Sequence, residues 1–222
     1  MQDVSRHTAV ITGASSGIGA AVARHFAAGG AKLVLAARRL ERLEALAGEL
    51  RAGGAEVMIR ATDVTSEADV IGLFEEAERF SPVTLLVANA GIVSHMPTAE
   101  CTTEHWDEVI GVNLTAAFLC CREAFRVMKP RGRGKIINIG SLSAQQPREN
   151  TIAYTASKYG LEGITRSLAL DGRAHGITAS IIHPGSTITE LMGATTNTKP
   201  PSDKTMEATH VAELIAMMAA VP

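Results

Sequence analysis

Aromatic side chains are scarce in this sequence, only 4% of the residues with a single tryptophan, and that argues against an aromatic-rich recognition surface. An excess of basic charge is also missing. Lysine and arginine total 21 against 23 aspartates and glutamates, a formal charge of −2. No surplus of cations exists to neutralise a phosphate backbone or an acidic headgroup layer, which excludes nucleic acid and membrane surfaces as expected partners. Cysteine is sparse: Cys101, Cys120 and Cys121 make an odd set without C-x-x-C spacing. Adjacent cysteines in an apolar stretch diverge too strongly for an unstrained bridge, so buried thiols are expected rather than a disulfide framework. No run approaches the roughly 18 consecutive apolar residues of a membrane helix. Residues 1–6 carry no basic region followed by an apolar core, so no secretory signal is read there and a cytoplasmic location is expected. The seven histidines show no tight ligand spacing, and no metal is expected.

What is present is an ordinary soluble composition, 46% apolar and 20% charged, with 20 glycines. That pairing suits a core of Ala, Val, Ile and Leu joined by tight backbone turns. Short runs rich in Val, Ile and Leu alternate with longer amphipathic ones. Residues 8–12, 32–37, 56–60, 84–88, 135–140 and 178–182 read as strands. Residues 19–28, 40–51, 67–79, 104–129 (interrupted near Gly111), 154–173 and 206–219 read as helices. Near-continuous apolar strands separated by helices predict a parallel sheet covered on both faces, a doubly wound α/β fold. No repeat or linker divides the chain, so 1–222 is read as one domain. The one shift in composition, at 193–205, is a polar stretch placed where a lid over a site would be.

The first strand runs into Thr12-Gly13-Ala14-Ser15-Ser16-Gly17-Ile18-Gly19, and a helix follows. Glycines in a strand–turn–helix context let the backbone approach a pyrophosphate seated at the positive helix end. Gly13, Ser15, Ser16, Gly17, Ile18 and Gly19 are therefore candidate nucleotide contacts. About 20 residues on, an acid would select the ribose 2′-hydroxyl of NAD. This chain has Ala37-Arg38-Arg39 instead, and two guanidinium groups there suit a 2′-phosphate, Arg38 ahead of Arg39. NADP is expected over NAD.

At the other end, Ser141 follows the fifth strand, and Tyr154 and Lys158 lie four residues apart on one helix face. A tyrosine titrates near 10, and an ammonium beside it favours the phenolate and makes proton exchange with an alcohol or carbonyl feasible. Ser141 is placed to hydrogen-bond the substrate oxygen as charge develops on it. Tyr159 lacks a lysine four residues on. His95 reads as a surface histidine ahead of a pocket residue, and Gln145, Gln146 and Arg148 read equally as pocket lining and as ordinary loop.

Together with Ala88-Asn89-Ala90-Gly91, Asn113 and Pro184-Gly185, these motifs resemble the short-chain dehydrogenase/reductase family over nearly the whole chain and in the same order. The resemblance implies a Rossmann-type, three-layer α/β/α oxidoreductase that moves a hydride between NAD(P) and a carbonyl or secondary alcohol. By that likeness Tyr154 is the acid/base, Lys158 lowers its pKa and binds the nicotinamide ribose, Ser141 polarises the substrate oxygen, and Asn113 holds a proton-relay water. A family-like separation favours Ser141 over Ser143 as Tyr154's partner. Asp63 and Val64 resemble the pair that meets adenine. Asn89 and Gly91 resemble a turn that either supports the sheet or borders the adenosine ribose. Pro184, Gly185, Thr187 and Thr189 resemble the segment that meets the carboxamide, with Thr187 where an aliphatic residue is usual. Members run on to one more strand and a tail, whereas this sequence stops at Val221-Pro222. Apolar residues on the fifth-strand-flanking helices (Phe118, Leu119, Phe125, Leu161, Ile164, Leu168) exceed what one sheet-facing stripe needs, and a homodimer or homotetramer is expected. The alternative is a protein that binds or senses NADP(H) on this fold without turnover.

Overall fold

The computed structural model describes residues 3–190 and 205–221. Six parallel strands form the central sheet in the order β3-β2-β1-β4-β5-β6. They are β1 (Thr8–Thr12), β2 (Lys32–Ala37), β3 (Val57–Ala61), β4 (Leu85–Ala88), β5 (Gly134–Ile139) and β6 (Ile177–Ile182). Each lies within a residue of its expected position, because a strand buried on both faces must be apolar at every residue. Alternate side chains divide between the two faces. Ala9 and Ile11 of β1 join Leu33, Leu35, Leu85 and Val87 on one side, and Val10 joins Val34, Ala36, Leu86 and Ala88 on the other.

The first face is covered by α1 (Gly17–Ala28), α2 (Leu40–Ala52) and α7 (Ala208–Ala220), through Val22, Phe26, Leu43, Leu46, Val211 and Ile215. The second is covered by α3 (Glu67–Phe80) and α5 (Ala116–Met128), through Val70, Leu73, Phe74, Leu119, Cys120 and Met128, with α6 (Ile152–Gly172) beside them. This is the doubly wound, three-layer architecture of the Rossmann type. Strand order reverses between β1 and β4, so the crevice at their carboxyl ends is where such sheets bind ligands. Cys120 and Cys121 are buried free thiols; burial pushes Cys121 up to about 12 and Cys120 higher still.

The interruption expected near Gly111 is present, and two other features depart from the expected pattern. The helix read across 104–129 is α4 (Thr103–Ile110) and α5 joined by a π turn at Gly111–Thr115, in which the Ala116 N–H donates to the Gly111 carbonyl. Residues 206–207 open not a helix but a two-residue strand, β8 (Met206–Glu207), parallel to β7 (Thr187–Ile188). The apolar surplus is also smaller than expected. Leu119 and Leu161 belong to the core, whereas Phe118, Tyr159 and Leu170 face outward. The polar stretch 193–205, apart from Thr205, lies outside the described residues.

Candidate active site

Gly13 and Gly17 adopt φ of +64° and +54°, the left-handed region that favours glycine. Packing adds a second constraint. A Cβ on Gly13 would come within 2.9 Å of both the Ala90 Cα and Asn89 Nδ2, and one on Gly19 would run into the Gly13 carbonyl. Gly19 thus acts by close packing and does not line the cleft. The Asn89 amide donates to the carbonyls of Thr12 (3.0 Å) and Gly13 (3.2 Å), and the Thr12 hydroxyl accepts from the Asn89 and Ala90 N–H groups. Of the two readings of Asn89, these bonds favour the structural one: its side chain clamps the glycine turn to the end of β4.

The turn opens on a cleft of about 610 Å³, within the usual range for small-molecule sites. Gly13, Ser15, Ser16, Gly17 and Ile18 form one end with Arg38, Arg39, Asp63 and Val64. Arg39 Nη2 donates to the hydroxyls of Ser15 (3.0 Å) and Ser16 (2.9 Å), which folds its guanidinium over the turn. The Asp63 carboxylate accepts from the hydroxyl (2.7 Å) and N–H (3.0 Å) of Thr65, and these bonds, aided by the Arg38 charge, hold it below the usual carboxylate range. Asn89, Gly91, Pro184, Gly185, Thr187 and Thr189 line the same cleft. A tight turn at a helix start, open to a cleft and flanked by two guanidinium groups, fits the diphosphate and ribose phosphate of a dinucleotide.

Ser141, Tyr154 and Lys158 converge at the other end. Lys158 is buried among the π turn, β5 and α6, its Nζ donating to the Ile139 carbonyl at 3.0 Å and lying 5.7 Å from the Tyr154 ring centre. Desolvation brings its pKa down to about 8. Tyr154 moves the opposite way: burial raises its phenol, while hydrogen bonding from Ser141 and then the charge of Arg148 pull it back.

Asn113 lies behind the cleft wall rather than in it, 1% exposed. Its Oδ1 accepts from the Ile92 N–H (2.8 Å), and its two amide hydrogens go to the Ile92 carbonyl (2.9 Å) and the Ser157 hydroxyl (3.3 Å). Ser157 in turn donates to the Tyr154 carbonyl (2.7 Å). The side chain therefore ties the loop after β4 to the first turns of α6.

The family model described as short chain dehydrogenase matches residues 7–200. The chain belongs to the short-chain dehydrogenase/reductase family. Its relatives include cis-4-hydroxycyclohexanecarboxylate dehydrogenase of Sinomonas cyclohexanicum, 36% identical over 97% of this chain and 90% of that protein. A glycine betaine reductase of Emericella nidulans is 36% identical over 87% of this chain, which spans only 15% of that longer protein. Among solved structures, a variant actinorhodin polyketide ketoreductase with NADPH superposes with a TM-score of 0.90 at 31% identity, covering 99% of this chain and 92% of that one. A 3-ketoacyl-(acyl-carrier-protein) reductase from Brucella melitensis complexed with NADH gives 0.89 at 30% identity, covering 96% and 91%. The family's members are oxidoreductases of CH–OH and C=O groups, and a nicotinamide cofactor is common to these neighbours.

Two positions in this short-chain dehydrogenase escape a reading of the sequence. His183 Nδ1 lies 2.9 Å from the Ser141 carbonyl, so the tautomer protonated there donates to it and fixes the turn carrying the serine. Its position directly before Pro184-Gly185 was the available signal. Glu190, directly after Thr189, reaches back to the arginines of the phosphate end.

Proposed function

We propose that this protein transfers a hydride between NADP(H) and a carbonyl or secondary alcohol. The observation that carries the reading is one continuous cleft with the glycine turn and Arg38–Arg39 at one end and Ser141, Tyr154 and Lys158 at the other. The nicotinamide supplies or accepts the hydride when bound. Gly13, Ser15, Ser16, Gly17 and Ile18 hold the diphosphate, Arg38 and Arg39 the 2′-phosphate, Asp63 and Val64 the adenine, and Pro184, Gly185, Thr187 and Thr189 the carboxamide side.

Tyr154 gives its phenolic proton to the substrate oxygen in reduction and takes it back in oxidation. Ser141 donates to that same oxygen, and its hydrogen bond to the phenol assists release of the proton. Lys158 binds the ribose; with its ammonium turned away from the β5 carbonyl and towards the cleft, it would also favour the phenolate. Asn113 fixes the loop at Ile92 and holds a proton-relay water. The substrate is a small molecule, and the assembly is a dimer or tetramer built on the outward side chains of α5 and α6. The test is NADPH oxidation against a panel of ketones, aldehydes and sugars. Turnover supports the enzyme reading. Tight NADPH binding without turnover of any of them points to a sensing protein instead.

A further inference from the structure

Beside Arg39, which lines the end of the cleft that suits a 2′-phosphate, stands an anion just outside the lining. Glu190 Oε2 lies 2.5 Å from Arg42 Nη1 and 3.6 Å from Arg39 Nη1, so one carboxylate oxygen serves two guanidinium groups. Arg39 is held from behind by the Ser15 and Ser16 hydroxyls, which aim it at the same place. Glu190 is delivered there by its own segment. β7 pairs with β8 two residues upstream, and Thr189 packs so closely on the glycine turn that a Cβ on Gly17 would lie 3.1 Å from its Cγ2. Hydrogen bonding from Arg42, with the charges of Arg42 and Arg39, holds the carboxyl below its usual range, so it is ionised at neutral pH.

We propose that Glu190 is an internal competitor for the 2′-phosphate and so sets how strongly this chain prefers NADP to NAD. A phosphorylated dinucleotide must exchange one anion for another on the Arg39–Arg42 pair, whereas a dinucleotide with a free 2′-hydroxyl binds without disturbing it. Arg42, just outside the cleft lining, is the partner that keeps Glu190 beside Arg39. The inference rests on the NADP reading given above, and it makes the phosphate's net contribution smaller than three neighbouring guanidinium groups would suggest.

Calorimetric titration of adenosine 2′,5′-bisphosphate, AMP, NADP+ and NAD+ into the wild-type chain and E190Q tests it, with a melting curve to verify that the variant is folded. Exposed ion pairs are individually weak, so the expected change is modest: bisphosphate and NADP+ bind about two- to fivefold more tightly to E190Q, while AMP and NAD+ stay within about twofold. A wild type that prefers the bisphosphate, with E190Q unchanged, overturns the competitor and leaves the NADP reading standing. Weaker binding of the bisphosphate to E190Q also overturns it, showing instead that Glu190 organises the arginines, as does an equal change in all four ligands. If neither protein distinguishes bisphosphate from AMP, the NADP reading falls and the inference with it.

Discussion

Replacing Lys158 with methionine should abolish turnover and yet make the nucleotide-free protein more stable. The ammonium is buried against the Ile139 carbonyl, and desolvation takes its pKa from 10.5 to about 8. At 1.36 kcal/mol per unit, the folded state disfavours the charged form by roughly 3 kcal/mol. Lys158→Met keeps the aliphatic stem and removes the charge, but leaves the carbonyl without that donor, at about 1–3 kcal/mol. The net expectation at pH 7 is a gain of about 1 kcal/mol, a rise in Tm of roughly 2–4 °C for a domain of this size. The sign with pH follows from the depressed pKa. Below about 8 the lysine is protonated folded and unfolded, and the full penalty is present. Between about 8 and 10.5 the folded state releases its proton first, so wild-type stability rises with pH relative to the variant. The variant's advantage of about 1 kcal/mol at pH 7 should therefore become a deficit of about 1 kcal/mol by pH 9.5. Denaturant melts of both proteins at pH 6.5–9.5 without nucleotide read this directly. A difference flat across that range, or a variant clearly less stable at pH 7, refutes the reasoning.

Tyr154→Phe should lower kcat by at least about 100-fold while NADPH binding stays within about twofold, because the ring's packing survives and only the proton donor is lost. Stopped-flow turnover with parallel binding titrations checks it, and a variant that keeps most of its kcat removes Tyr154 from the chemistry. Ala37→Asp combined with Arg38→Ala should reverse the cofactor order: the new carboxylate repels the 2′-phosphate and accepts the 2′-hydroxyl, against a wild-type preference on the order of 10- to 100-fold. Equal affinity of the wild type for NADH and NADPH at low salt would count against Arg38. Light scattering at micromolar concentration should give a dimer or tetramer, and Phe118→Glu on the outward face of α5 should lower the mass; a monomeric wild type contradicts the assembly.

The strands were legible because burial on both faces leaves a mark that needs no tertiary knowledge, as in residues 32–37, which match β2 residue for residue. The glycine turn was legible for a similar reason, since positive φ at Gly13 and Gly17 restricts the residue type locally. Legibility fails where long-range contacts decide. A spacing of four brings Lys158 and Tyr154 onto one helix face but does not say that the ammonium turns to a carbonyl on β5. Asn113 was singled out in the sequence only through its likeness to a family motif, and its bonds to Ile92 come from a loop 21 positions away. The two-residue ladder between β7 and β8 is too short to impose any pattern of its own.

The π turn at Gly111–Thr115 fixes the rotational phase between α4 and α5. One residue more or less in a helix rotates everything beyond it by about 100°. Deleting a residue there would swing Leu119, Cys120, Ala124 and Met128 of α5 off the sheet while α4 stayed in place. The same deletion would pull the Asn113 amide away from Ile92 and Ser157. The hydrophobic core and the bonds of Asn113 thus hang on a single extra position.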